Sequence, residues 1–405
     1  MMCPVRRPTV ALAGLALLAA GVVSGTGAGS AAGAPAAVRT VLGPGILDGP
    51  GGIAVDAAGN LFVADTGHCR VVVVPARSGR LDGLPVRAGR AATLAGGSCT
   101  GSPALGHPSD VAVDAAGDVF VAEATAQRVQ EVRAGSRSVV TVAGTGTAGF
   151  DGDGADAATS ELDEPTGVAV DAAGDVFIAD TANCRVRVVP AAATTTLLGL
   201  AVHRGGLFTV AGTGVCGSSG QGGPLRSAQL WNPVAVTLDA AGDLLVADSG
   251  DQSVLLAPSG AGGTFYGSAI GAGDIGVVTG GTGNYGPYVV DGLPANGPGA
   301  ELNDPRGLAL GPAGALFVTD GFMHVIRVVP AADETLLGRP LRAGDLYTVA
   351  GALPVATAAG TNDGTRWIRA HLGTPTGLAV SATGSLYYAD GTEDTVRLMG
   401  TGASS

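Results

Sequence analysis

The sequence contains no lysine; all 22 of its cations are arginine. That excludes Schiff-base lysine chemistry and a phosphate-cradling loop ending in lysine. Aromatic residues make up only 4% of the 405 positions and charged residues only 14%. The 69 glycines follow no strict Gly-X-Y period, which excludes a collagen helix. There is no basic excess either. The net charge is −12, the wrong sign for a surface that binds nucleic-acid phosphates. What the sequence does have is 46% hydrophobic residues, too many for a wholly disordered chain.

The first 36 residues read as a cleaved export signal. Arg6 and Arg7 form a short positive region, and Thr9 to Val23 is an uncharged apolar run. That run is shorter than the about 20 residues of a membrane span. Ala34-Pro35-Ala36 fits a small-x-small cleavage pattern, so cleavage is expected before Ala37. The paired arginines leave the export route open between the general and the twin-arginine pathways. A secreted chain without a membrane anchor follows, with its ordered domain over residues 37–400 and a short tail at 401–405.

Internal repeats decide the fold. The segment Pro165-Thr-Gly-Val-Ala-Val-Asp-Ala-Ala-Gly-Asp-Val-Phe-Ile-Ala-Asp180 recurs six times, led by Pro50, Pro108, Pro165, Pro233, Pro305 and Pro375. A leucine stands three residues before each of these prolines and a glycine nine residues after it. The repeat cores run near 50–74, 108–132, 165–189, 233–256, 305–329 and 375–398. Each unit holds two short apolar runs around a tight Asp-Ala-Ala-Gly-Asp turn, then a third run such as Cys184–Val189 and a fourth such as Phe208–Gly212. Four strands per unit make one small sheet that cannot bury both faces alone, so six must pack around an axis. The last unit stops after its third strand. Val38–Leu42 is left unused at the start, and it predicts closure of the sixth sheet. The fold class is all-β: a six-bladed β-propeller of antiparallel four-stranded blades.

This pattern resembles the NHL-repeat family of β-propellers, in its secreted bacterial form. The residues that carry the resemblance are Pro-x-Gly-Val-Ala-Val-Asp, Asp180-Thr-Ala-Asn-Cys-Arg-Val-Arg-Val and Thr-Val-Ala-Gly-Thr-Gly. Units four to six depart from it most: Ser253, Val325 and Thr395 stand where Arg70, Arg128 and Arg185 open the third strand. The family implies the fold; its members bind protein, peptide or RNA, and related propellers are lyases and lactonases, so it does not fix a function. Four cysteines follow the export segment. Cys69 and Cys184 start third strands, and Cys99 and Cys216 lie just past fourth strands. Antiparallel pairing of those strands predicts disulfides Cys69–Cys99 and Cys184–Cys216, which suit an exported protein.

Two function classes remain. The first is an extracellular scaffold that binds a protein, peptide or glycan on the face carrying the long inter-blade linkers. Trp231, Trp367, Phe150, Tyr285 and Tyr288 lie in those linkers. The second is a metal-dependent hydrolase or lyase, lactonase-like or amidating-lyase-like, at the mouth of the channel. The residues before the repeat prolines, Gly49, His107, Glu164, Asn232, Asp304 and Thr374, supply ligand-type groups there. The reading of these residues as caps at the strand entry outweighs the metal reading. No complete catalytic set is present, so the scaffold reading leads and no cofactor is expected; the acidic charge argues against nucleic acid and the short apolar run against a membrane span, and a monomer is expected. A second acidic set, Asp65, Glu123, Asp180, Asp248, Asp320 and Asp390, recurs in every unit and reads as structural.

Overall fold

The structure, a computed structural model, describes residues 38–99, 105–281, 290–336, 338–351 and 367–400. The export segment, Tyr285, Tyr288 and the 401–405 tail lie outside the described residues. The expected six blades are present. Blade 1 is Pro50–Val55, Leu61–Asp65, Arg70–Val74 and Ala92–Gly96; blade 2 is Asp110–Val113, Val119–Glu123, Arg128–Val132 and Val139–Ala143. Blade 3 is Pro165–Val170, Val176–Asp180, Arg185–Val189 and Phe208–Ala211; blade 4 is Pro233–Leu238, Leu244–Asp248, Ser253–Ala257 and Asp274–Gly280. Blade 5 is Pro305–Leu310, Leu316–Asp320, Val325–Val329 and Asp345–Ala350. Blade 6 is Pro375–Val380, Leu386–Asp390 and Thr395–Met399, completed by Val38–Leu42, with Val38 opposite Met399.

Burial explains why the strands read as unbroken apolar runs. Each second strand is covered on both faces, and in five blades all five of its residues are buried. The apolar core divides into six clusters, each lying between two neighbouring blades. A blade therefore has no core of its own and depends on its neighbours. Both disulfides form as expected, with Cα–Cα distances of 5.2 Å for Cys69–Cys99 and 5.3 Å for Cys184–Cys216. Each joins the start of a third strand to the chain just beyond the fourth.

Three features were not expected. The two-residue strands Gly223–Pro224 and Leu293–Pro294 pair with the fourth strands of blades 4 and 5 and add a fifth strand to each. Four two-stranded hairpins extend the third-to-fourth connections of blades 1, 3, 4 and 5. Asp82-Gly83, Leu198-Gly199 and Tyr266-Gly267 turn three of them with φ positive at both residues, the turn whose twist suits a tight hairpin. They brace the next blade: Gly135 N–H donates to Asp82 Oδ1 at 2.7 Å, and Tyr266 Oη donates to the Gly314 carbonyl at 2.8 Å. In addition, all six third strands begin after a left-handed residue: Cys69, Gln127, Cys184, Gln252, His324 and Asp394.

The six recurring acids hold backbone: Asp320 and Asp390 accept N–H groups of the turn that follows them, Met323 and Glu393 among them, at 3.2 Å. All six are 0% exposed. Each reaches back to the linker and accepts the N–H of the residue two before its repeat proline. Asp65 takes Asp48, Asp180 takes Asp163, Asp248 takes Trp231, Asp320 takes Asn303 and Asp390 takes Gly373, at 2.7–3.2 Å; Glu123 takes Gly106. Arg70 and Arg128 donate Nε to Asp65 and Glu123 at 2.6 Å. Burial pushes the Asp180 carboxyl up to about 6 and those of Asp248 and Asp320 to about 7, although their hydrogen bonds oppose the rise.

The closing strand generates one prediction. Leu42 is 2% exposed and Arg39 is exposed on the same strand. Leu42→Ala is expected to lower unfolding stability by about 2–5 kcal/mol, and Arg39→Ala by no more than about 0.5 kcal/mol, in denaturant titrations; equal effects would show that blade 6 closes otherwise. The raised carboxyls generate another. Between pH about 4 and about 7 the folded chain holds protons on Asp180, Asp248 and Asp320 that the unfolded chain has released. Stability therefore falls as pH rises through this window, and the thermal midpoint is expected to be higher at about pH 5 than at about pH 8. Asp248→Asn, which cannot titrate, should flatten that slope; a slope unchanged in this variant would assign it to general charge repulsion instead.

Candidate functional site

The inner strands of all six blades enclose a central cavity of about 930 Å³. Each inner strand packs beside those of both neighbours. At the end where the linkers arrive, the wall is polar and includes Thr66, Asn232, Ser249, Asp304, Arg306 and Thr374. Hydroxyls here tie one blade to the next. Thr66 Oγ1 donates to the Pro108 carbonyl at 2.7 Å, Thr166 Oγ1 to Val234 at 2.9 Å and Thr376 Oγ1 to Pro50 at 2.9 Å.

The residues before the repeat prolines do not converge on one point. Gly49, Asn232, Asp304 and Thr374 line the cavity, whereas His107 and Glu164 do not. Gly49, His107, Glu164, Asn232 and Asp304 all have positive φ, between 44° and 66°. Backbone shape accounts for Gly, Asn and Asp at this position, since these residue types tolerate the left-handed region best. Several also meet the left-handed residue of the preceding blade. Gly49 N–H donates to Asp394 Oδ1 at 2.7 Å, and Glu164 N–H donates to Gln127 Oε1 at 2.6 Å. His107 Nδ1 lies 3.7 Å from Cys69 Sγ, and His324 Nδ1 donates to the Gly373 carbonyl. These contacts latch blade to blade at the rim, and sequence reading missed them because the partners lie some 40–345 residues apart.

Asp304 is engaged twice, accepting from Arg306 Nε at 2.6 Å and from Ser249 Oγ at 2.8 Å. Among the described residues, only Cys69, Cys99 and His107 bring three metal-ligand atoms within 4.8 Å of one another. Both of those sulfurs are spent in the disulfide. Glu164 and Asp304 belong to no such group.

The aromatic residues separate clearly. Trp231 is 49% exposed beside the channel mouth; its ring lies against Gly250, where a Cβ would stand 2.6 Å from Trp231 Cγ. Phe150 is 39% exposed but carries the Arg185 guanidinium 3.9 Å from its ring centre, a cation–π contact that covers one face. Trp367 is a correction: it is 2% exposed and belongs to the core between blades 5 and 6. It opens the short 3-10 turn Trp367–Arg369 and its carbonyl accepts Gly351 N–H, as Ala157 accepts Gly144 N–H in the linker before blade 3. That linker position points inward, and a large apolar ring fills it. Phe322, not singled out from the sequence, is 66% exposed. It stands two residues after Asp320, where the other blades carry Gly67, Thr125, Ala182, Gly250 and Thr392, so the signal was present in the repeat alignment.

No curated protein matches this chain by sequence. The fold does have solved relatives. A protein of unknown function from Bacteroides thetaiotaomicron is 15% identical with a TM-score of 0.56, covering 90% of this chain and 75% of its own. An auxiliary nutrient binding protein from the same organism is 12% identical with a TM-score of 0.56, covering 90% and 76%. A second such protein, from Bacteroides ovatus, is 13% identical with a TM-score of 0.55, over 90% and 76%. The NHL repeat matches residues 47–74 and 162–189, the first three strands of blades 1 and 3 with the turns that lead into them. The other four blades carry the same buried acid at the end of the second strand, and the chain is a six-bladed β-propeller with NHL repeats in blades 1 and 3.

Proposed function

We propose that this propeller is an extracellular binding scaffold that takes a protein, peptide or glycan ligand on its linker-bearing face. One observation carries the reading. The large hydrophobic side chains exposed among the described residues are Ile46, Phe150, Val215, Trp231, Val290, Phe322 and Ile368. Six of them lie in inter-blade linkers and Phe322 in a second-to-third strand turn, the two connections that share that side of the fold. None lies in a tight first-to-second turn or a third-to-fourth hairpin. Exposed apolar groups gathered on one class of loop mark an interaction surface. Trp231 and Phe322 belong to the adjacent blades 4 and 5 and flank the polar mouth formed by Asn232, Ser249, Asp304 and Arg306, so aromatic anchors stand beside hydrogen-bonding groups. Glu164 and His107 extend the same rim.

The two disulfides suit an oxidising compartment, as the expected export segment requires. No described helix is long and apolar enough to cross a membrane. Among the described residues no set of three His, Asp or Glu donors converges outside the disulfide to support the hydrolase or lyase reading, and the binding reading leads. Panning of a displayed peptide library, together with a glycan array, tests it. Ligands are expected to be retained by the unaltered protein and lost, by about 30-fold or more in affinity, on the double change Trp231→Ala, Phe322→Ala with an unchanged thermal midpoint. Retention that survives this double change would move the site off this patch.

A further inference from the structure

At the second position after the repeat proline, five blades carry a residue with little or no side chain: Gly52, Gly167, Ala235, Gly307 and Gly377. Blade 2 carries Asp110 there. Its carboxylate lies directly over Gly52 of blade 1, where a Cβ would fall 1.7 Å from Asp110 Oδ1. Oδ1 accepts the N–H of Val111 at 2.8 Å, and Oδ2 accepts that of Val168, in blade 3, at 3.0 Å. The carboxylate is thus fixed by the inner strands of three blades, and each oxygen keeps further acceptor capacity. It also lines the central cavity.

The other charged groups on the cavity wall are Asp304 and Arg306, and they pair with each other. No described arginine or histidine forms an ion pair with Asp110. On the elements packed against it, the inner strands of blades 1 and 3 present only Gly52 and Val168, neither of them titratable. Burial without a counter-charge pushes its carboxyl up to about 7, against the pull of its two N–H donors.

The cavity also changes character along its length. Ser109, Thr166 and Thr376, one residue nearer the mouth, are hydroxylic. Three residues beyond Asp110 the wall is a complete aliphatic ring of Val55, Val113, Val170, Leu238, Leu310 and Val380, each half-buried. The volume falls within the about 300–1,000 Å³ of small-molecule sites. We propose that the central cavity binds an amphipathic amine, its ammonium on the Asp110 carboxylate and its aliphatic body against the ring beyond. This site lies deeper in the same cavity than the mouth residues Asn232, Ser249, Asp304 and Arg306, and it does not rest on the reading of the linker face.

The probes are hexylammonium, 1-hexanol and hexanoate, titrated calorimetrically into the purified protein. At about pH 8, one hexylammonium per chain is expected to bind about tenfold or more tightly than 1-hexanol, the worth of one charge-assisted contact. Hexanoate should bind more weakly than either. Asp110→Asn is expected to remove the preference for the ammonium and leave the alcohol's affinity in place. In the unaltered protein, hexylammonium affinity should fall as pH drops through about 7, and that of 1-hexanol should not. Equal affinity for ammonium and alcohol, or a preference that survives Asp110→Asn, overturns the proposal. Should that variant not fold, a preference that ignores pH overturns it equally.

Discussion

Six sheets close into a ring only where each inner strand lets the backbone of the next come into contact. This close approach is the constraint on which the rest of the molecule depends. At the closing interface a Cβ on Gly377 would stand 2.6 Å from the Gly51 carbonyl oxygen, and one on Gly167 would stand 2.6 Å from that of Val234. At Gly167 and Gly377 glycine is required by space, not by turn geometry. With the inner strands so placed, the hydroxyls of Thr66, Thr166 and Thr376 reach carbonyls of the next blade, and the six apolar clusters can form between blades. Blade 2 meets the same constraint differently, with the Asp110 carboxylate set over a glycine of its neighbour.

The buried acids solve a second problem, the return of each linker to the axis. A linker of free sequence arrives at every inner strand, yet its last residues must adopt one path. A carboxylate at the end of the second strand holds that path through one linker N–H, or two in blade 6, and the carboxylate itself is desolvated. The bond fixes the backbone and not the ring: Trp231, whose own N–H makes it, displays its ring to solvent, while Trp367, further upstream in the linker before blade 6, is folded inward.

The repeat made the architecture legible because one pattern was written six times. The offsets of proline, leucine and glycine defined the units, the spare Val38–Leu42 strand defined the closure, and the equivalence of Cys69 with Cys184 defined the disulfides. What escaped was either local or long-range. Leu198-Gly199 and Tyr266-Gly267 do not look like hairpin turns, because leucine and tyrosine rarely take positive φ, so their small hairpins passed unread. The rim latches join residues from different blades, and no periodicity reports such a pair. Trp367 was misplaced because the linkers lie outside the repeat, where sequence alone does not say which way a ring turns. Asp110 was visible as a departure at a glycine position, but its importance follows only from the cavity around it.

The pairing of Val38 with Met399 has a consequence for the order of events in folding. The first described strand, Val38–Leu42, has its partner in the last, Thr395–Met399, so it must wait until the chain has been made that far. Until then Thr395–Met399 is absent, blade 1 has no neighbour on one side, and the apolar face around Ile53 and Leu61 stays uncovered. Contacts of such sequence separation form late, because the loop entropy is lost before they return any stabilisation. The ring is therefore sealed in a single final step, and the interface between blades 6 and 1 is the seam of the molecule, the place where an incompletely made chain and a finished one differ most.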